Sequence, residues 1–296
     1  MLSRMLRGLL LAQVLIGALF GWLIARYSGL SNWLALAGAL LLPLVTVKLT
    51  IFTSAVLSRQ PGASALWWRS VVGEILATAR VFFLQLPWTW SAPAFKPATG
   101  TPPRVAVVLV HGYLCNHRIW DALAERLRRA GHAVQEVDLE PVFSSIDNYT
   151  ALVNEAVESL CRATGAAKVA LVGHSMGGLV IRAWMRAHGS GRVARVLTLG
   201  TPHAGTQIVH PYSTPNGRQM VWQSPWLKEL AASESATTRS LMRIALTPQD
   251  NIVYPQREQG LKGVPVTEFE GLGHVELCTN SAVANWVLEQ LSDVPR

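Results

Sequence analysis

The first hundred residues contain a single acidic side chain, Glu74, against eight Lys and Arg, whereas residues 101–296 hold 17 acids against 18 bases. The formal net charge of +8 is therefore a property of the N-terminal third. Its basic residues are spread singly instead of clustering on a predicted helix face, and no aromatic-interleaved RNA motif accompanies them, so no nucleic-acid partner is expected. Cysteine is scarce. Cys115, Cys161 and Cys278 form an odd set without disulfide or zinc spacing, which points to free thiols. Ligand clusters such as His-Glu-x-x-His or paired Cys-x-x-Cys are missing too, so the chemistry is expected to need no metal or other cofactor. Internal repeats are absent.

Long apolar runs take the place of the missing charge. Leu9 to Ala25 has none over 17 residues, just enough to span a bilayer as a helix. Arg4, Arg7 and Arg26 flank it, and Trp22 and Tyr27 suit its interfaces. A second run goes from Trp33 to Val47, meets Lys48 and continues to Leu57, with Pro43 as a kink position. A signal peptide has a shorter apolar core and an Ala-x-Ala exit, both at odds with this start. A transmembrane helical hairpin over residues 1–60 is expected instead. Arg4 and Arg7 precede it, Lys48, Arg59, Arg69 and Arg80 follow it, and the connecting loop has Arg26 alone. By the positive-inside rule both ends, and the rest of the chain, face the cytoplasm, as in a multi-pass bacterial inner-membrane protein.

Residues 61–103 hold an apolar, aromatic stretch, Val71 to Trp90, read as an amphipathic helix on the membrane surface or against the following domain. Ser91 to Pro103 is a linker by its prolines. The remaining domain then spans 104–296.

Within that domain, Val105 to Val110 is an unbroken apolar run of the kind buried on both faces of a parallel sheet. Amphipathic or apolar segments follow in alternation: helix Ile119–Arg129, strand His132–Leu139, helix Ile146–Arg162, strand Lys168–Val172, strand Val193–Leu199, strand Leu241–Leu246, strand Val264–Phe269 and a closing helix Asn280–Leu291. Such alternation predicts an α/β fold with a mostly parallel sheet flanked by helices.

The informative interruption is Gly173-His174-Ser175-Met176-Gly177, between a strand pattern and a helix pattern. A serine at the tip of a tight strand-to-helix turn has strained backbone angles, and small residues two positions before and after let the turn close. The turn lifts the Ser175 hydroxyl clear of the sheet and aims the first helical amides, Met176 among them, at an oxygen that becomes negative. At the end of the first strand, His111-Gly112-Tyr113 allows a fold-back that points the Tyr113 amide at the same place. His111 is expected to order that loop by hydrogen bonds without transferring protons.

With Gly200-Thr201-Pro202-His203-Ala204-Gly205-Thr206, these motifs make residues 104–292 resemble the bacterial triacylglycerol lipases and related esterases of the α/β-hydrolase superfamily. The N-terminal hairpin lies outside that resemblance. The resemblance implies an α/β-hydrolase fold and a Ser-acid-His order. Asp250, in a loop past a strand and followed by an apolar pair and proline, matches the acid position. His274, in Gly271-Leu272-Gly273-His274, is the only histidine after it. His203 and His210 come too early in the chain, and His174 is expected to point away from the site. The segment 207–238 corresponds to the insertion that forms a lid in similar enzymes; Trp222 and Trp226 on it are candidate substrate-binding residues.

The implied activity is acyl transfer to water on lipid carboxylic esters, with Ser175 as nucleophile, His274 as base, Asp250 orienting it, and Tyr113 and Met176 as oxyanion donors. Expected partners are a lipid or acyl-ester substrate and the membrane. The same triad serves thioesterases, acyltransferases and amidases, and a non-catalytic membrane-bound binding protein on the hydrolase scaffold is the alternative of another class. Epoxide and halide hydrolases normally carry an aspartate where Ser175 stands.

Overall fold

The computed structural model describes residues 1–209 and 214–294. Three helices open the chain: α1 (Leu2–Ser28), α2 (Trp33–Leu57) and α3 (Ser64–Ala79), the last prolonged by a π-helical segment, Arg80–Gln85, and a 3₁₀ turn, Leu86–Trp88. By length and composition, Leu2–Ser28, Trp33–Leu57 and Ser64–Trp88 are each apolar enough to cross a membrane, one more than the two expected. α1 and α2 form an antiparallel hairpin, with Gly17 against Gly38 and Gly21 against Leu34. A Cβ on any of these glycines would overlap a backbone carbonyl of the facing helix, which is the close approach that small residues permit in membrane helix pairs. Leu11, Leu15, Leu19, Phe20, Leu36, Leu40 and Leu41 are exposed along the hairpin.

The sheet follows. Six parallel strands, β1 (Val107–Val110), β2 (Val134–Val137), β3 (Val169–His174), β4 (Val193–Leu199), β5 (Met242–Leu246) and β6 (Val266–Glu268), pair in the order β2-β1-β3-β4-β5-β6. The order reverses between β1 and β3, where consecutive connections leave to opposite faces and open a crevice at the strand ends. β1 and β3 are buried along their whole length, as their continuous apolar sequences require.

The helices α4 (Asp121–Arg129), α5 (Thr150–Thr164), α6 (Met176–His188), α7 (Pro215–Gln219), α8 (Pro225–Ala232), α9 (Ala236–Ser240), α10 (Glu276–Thr279) and α11 (Ser281–Gln290) complete the fold. Side chains alternate across β1. Val108 and Val110 join a core with α5, α6 and α8, while Val107 and Leu109 join a second core with α4 and α11.

Ala77, Val81 and Leu86 belong to that second core. The segment 61–103 is thus continuous with the sheet domain, and the boundary expected at residue 104 runs through shared packing. The proline-rich stretch is tied down as well: Lys96 exchanges backbone hydrogen bonds with Val134, at 2.8 and 2.9 Å, and its ammonium meets Glu136. Composition alone reads prolines as a loose linker; here they frame an edge pairing.

Candidate active site

Ser175 sits between β3 and α6 with φ 54° and ψ −128°, a conformation that L-residues rarely adopt and that persists where the surroundings over-determine it. The neighbouring glycines make it reachable. A Cβ on Gly173 would run into Gly178, and one on Gly177 into the Val110 and His111 carbonyl oxygens. The small residues are therefore needed because the turn is pressed between its own helix and the end of β1. Met176 opens α6, so its N–H has no intrahelical acceptor.

His274 lies in the loop after β6 and is buried with Asp250. Its Nδ1–H donates to Asp250 Oδ2 at 2.8 Å. Asp250 is itself held, because Oδ1 accepts from the amides of Ile252 and Val253 at 2.9 and 2.7 Å. Burial works against the imidazolium, but the Asp250 charge and hydrogen bond outweigh it and hold His274 above the ordinary imidazole range.

Contacts from the N-terminal helices surround the same loop. Glu74 of α3 is 2% exposed, and its carboxylate accepts from Val275 N–H at 2.9 and 3.0 Å and from Glu276 N–H at 3.0 Å. Gly273 is required because a Cβ there would overlap that carboxylate. Arg69 donates to the Gly271 carbonyl. Asn251 accepts from His274 N–H at 3.2 Å while donating to Ser54 of α2 at 3.0 Å. None of these residues was singled out for the site by sequence; the one available signal was that Glu74 is the only acid in a hundred residues.

Ser175, His274, Gly112 and Tyr113 line a common cavity of about 450 Å³, together with Leu9 and Gln13 of α1, Thr50 and Ile51 of α2, Thr78 of α3 and Phe82 of the π-helical segment after it. The expected nucleophile, base and Tyr113 are thus brought together, with Asp250 directly behind the base. Trp222 and Trp226 are not among the residues lining this cavity. Trp226 instead donates from its indole to Asp147 at 2.9 Å, and the Arg186 guanidinium lies over its ring. Arg182 on α6 pairs with Glu234, both nearly inaccessible, and Glu234 also pairs with Arg239. These ties dock α8 and α9 onto the α6 face. Residues 210–213 of the expected lid, His210 included, lie outside the described residues.

His111, His174 and His203 make structural contacts. His111 Nδ1 donates to the Gly112 carbonyl at 2.8 Å, and Nε2 accepts from Leu139 N–H at 3.0 Å, which orders the loop as expected. His174 does not point away: its Nε2–H donates to the His274 carbonyl at 3.1 Å, and the two ring centroids are 4.6 Å apart. Burial and its neighbour His274 hold it well below the ordinary imidazole range, so it packs as a neutral ring. His203 is likewise held neutral by burial beside Arg182. The three cysteines are free and buried, and burial pushes Cys115 up to about 12. Among the described residues, no group of three or more His, Cys, Asp or Glu is placed to hold a metal ion.

Similar proteins agree with this architecture. A triacylglycerol lipase of Burkholderia plantarii is 33% identical over 127 residues, 40% of this chain and 35% of that protein. One from Pseudarthrobacter phenanthrenivorans is 34% identical over 114 residues, 36% of this chain and 35% of its own. The chain thus matches about a third of the length of these relatives. The crystal structure of mature Bacillus licheniformis lipase BlEst2 superposes with a TM-score of 0.58 at 17% identity, covering 68% of this chain and 99% of that one. Aspergillus fumigatus lipase B gives 0.55 at 17% identity, over 68% and 57%. At such identities the likeness establishes the α/β-hydrolase fold. The sequence profile of the palmitoyl protein thioesterase family matches residues 106–255, just over half of the chain, and the chain belongs to that family.

Proposed function

We propose that the protein is a membrane-anchored serine hydrolase that cleaves carboxylic esters of lipids through an acyl-enzyme. The observation that carries this reading is the meeting of a strained, elbow-borne Ser175 with the Asp250-paired His274 at one apolar cavity. Ser175 Oγ attacks the acyl carbonyl as His274 Nε2 takes its proton; the Asp250 hydrogen bond at Nδ1 leaves Nε2 as the acceptor and stabilises the imidazolium. The amides of Tyr113 and Met176 receive the oxyanion, each such donor contributing about 3 kcal/mol of barrier lowering. His274 then protonates the departing alkoxide, and water repeats the sequence on the acyl-enzyme.

A second reading has its own support. The family profile describes thioesterases, and the same steps cleave an S-acyl bond with a thiolate departing. The triacylglycerol lipases among the relatives favour the oxygen ester.

For the membrane, α1 and α2 supply the anchor. Leu6 to Gln13 and Thr46 to Ser54 contribute to the same cavity, so both hairpin ends lie beside the hydrolase domain and the loop at Gly29 points away from it. α3 and the π-helical segment after it, buried through Ala77 and Val81, stay with the domain. With basic residues at both hairpin ends, the domain faces the cytoplasm.

A fluorophosphonate probe is expected to label Ser175, and Ser175→Ala to abolish both labelling and ester hydrolysis. Hydrolysis that survives Ser175→Ala contradicts the proposal.

A further inference from the structure

We infer that the N-terminal helices form the acyl-chain binding site, so that substrate chains enter Ser175's cavity sideways from the bilayer, between α1, α2 and α3. This rests on the reading of Ser175 as the nucleophile and goes beyond it by naming where the chain binds and from which side it arrives.

Three observations converge. First, the apolar wall of the cavity comes from the helices: Leu6, Leu9 and Leu10 of α1, Val47 and Ile51 of α2, and Phe82 beyond α3. On the described part of 207–238 no residue reaches it.

Second, the depth fits. A membrane helix needs about 20 residues at 1.5 Å rise to cross about 30 Å of hydrocarbon. On α1 the charge-free run is Leu9–Ala25, and on α2 the apolar run from Trp33 meets Lys48. Leu9, Leu10, Thr46 and Val47 then lie at the near end of the two apolar spans while lining the cavity.

Third, the hydroxyls that α2 brings to the cavity are internally satisfied, and Gln13 of α1 is the one polar side chain of the hairpin there whose buried Oε1 has no hydrogen-bond partner among the described residues. The Thr46 and Thr50 hydroxyls donate to the carbonyls of Pro43 and Thr46, each at 2.8 Å. A single acyl chain thus reaches Ser175 without crossing water. Each methylene moved from water into such a site is expected to raise kcat/KM about fourfold until the cavity is filled.

The test uses the full wild-type chain in lipid nanodiscs and an alkyl fluorophosphonate of palmitoyl length carrying a diazirine near its tail. The probe joins Ser175 Oγ to phosphorus with loss of fluoride, and light then fixes the tail to whatever it touches. The expected result is a Ser175 adduct whose tail is attached to cavity-facing residues among Leu6–Gln13, Thr46–Ser54 or Phe82–Phe83. Tails found only on outward-facing residues such as Leu15 or Leu44, or within 214–240, overturn the inference while leaving the nucleophile intact. Failure of any probe to modify Ser175 overturns the functional reading, and the inference with it.

Discussion

Helices α1 to α3 and the segment 214–240 are both apolar and aromatic, yet they occupy different sides of the molecule. Leu227 and Leu230 of α8 pack in one core with Val108 and Val110, whereas Ala77 of α3 and Val81 just beyond it pack in the other with Val107 and Leu109. Of these two regions, the N-terminal helices reach the Ser175 cavity and no residue of 214–240 lines it. The difference lies in where each segment's polar groups are bonded. Glu74, Arg69 and Ser54 bond to the loops carrying His274 and Asn251, while Trp226 and Glu234 bond to Asp147 and to Arg182 on α6. Aromatic content alone does not say which element covers a site; the buried hydrogen bonds do.

Removing the N-terminal helices should have the largest effect. Deleting residues 1–90 strips Ala77, Val81 and Leu86 from a core and leaves the Val275 and Glu276 amides without Glu74. The expected product is insoluble or inactive, as judged by soluble yield and fluorophosphonate labelling. A soluble, cooperatively melting and active remainder would mean that 1–90 is a dispensable tether.

On the opposite side, Glu234→Gln leaves Arg182 buried without its full charge partner. Breaking such a pair typically costs about 3–5 kcal/mol, read as a lowered Tm in detergent. Because neither Arg182 nor Glu234 lines the cavity, the relative rates on long and short esters should stay as in the wild type.

Glu74→Gln is expected to be milder in stability, costing about 1–3 kcal/mol, since the amide satisfies only part of what the carboxylate accepts. It carries a pH signature that a purely structural role would not. Burial lowers His274 basicity, and the Asp250 and Glu74 charges raise it. Catalysis needs His274 neutral, so kcat/KM rises with pH through its pKa. Burial raises the Glu74 carboxyl itself to about 7, so its charge acts on His274 only where it is ionised, and removing it lowers the His274 pKa and moves that part of the acid limb to lower pH. The sign for stability is the reverse in form: with its folded pKa raised, His274 stabilises the fold fully below its unfolded pKa, and this contribution disappears as pH rises through the folded value. An unmoved acid limb would assign Glu74 to packing alone.

Much of the candidate site's geometry was legible because it is local. The elbow follows from five consecutive residues and the runs on either side, and the Gly173 and Gly177 contacts explain why that spacing was readable. Strand positions followed from unbroken apolar runs, although β2 and β6 proved shorter than the runs that announced them. Asp250 and His274 came from the family order. What stayed hidden was long-range. Glu74 meets Val275 about two hundred residues later in the chain, and no periodicity in either segment encodes that meeting. The Gly17 and Gly21 spacing was present in the sequence as a helix-packing signal. His174, expected to point away from the site, instead packs its ring 4.6 Å from that of His274, a contact across a hundred residues of chain that the elbow motif does not encode.

The smallest effect is expected from Trp226→Phe, which deletes one indole hydrogen bond to Asp147 and costs about 1 kcal/mol. It also supplies the counterpart for the most direct test of the account. The measurement is the ratio of kcat/KM for p-nitrophenyl palmitate to that for p-nitrophenyl acetate, in Thr50→Trp and in Trp226→Phe, with Ser175 labelling as the check on folding. A tryptophan at position 50 fills the cavity wall, and at about fourfold per excluded methylene the ratio should fall at least about tenfold. Trp226→Phe should leave it at the wild-type value. A ratio unchanged by Thr50→Trp and lowered by Trp226→Phe would contradict the account and return the acyl site to the 207–238 segment.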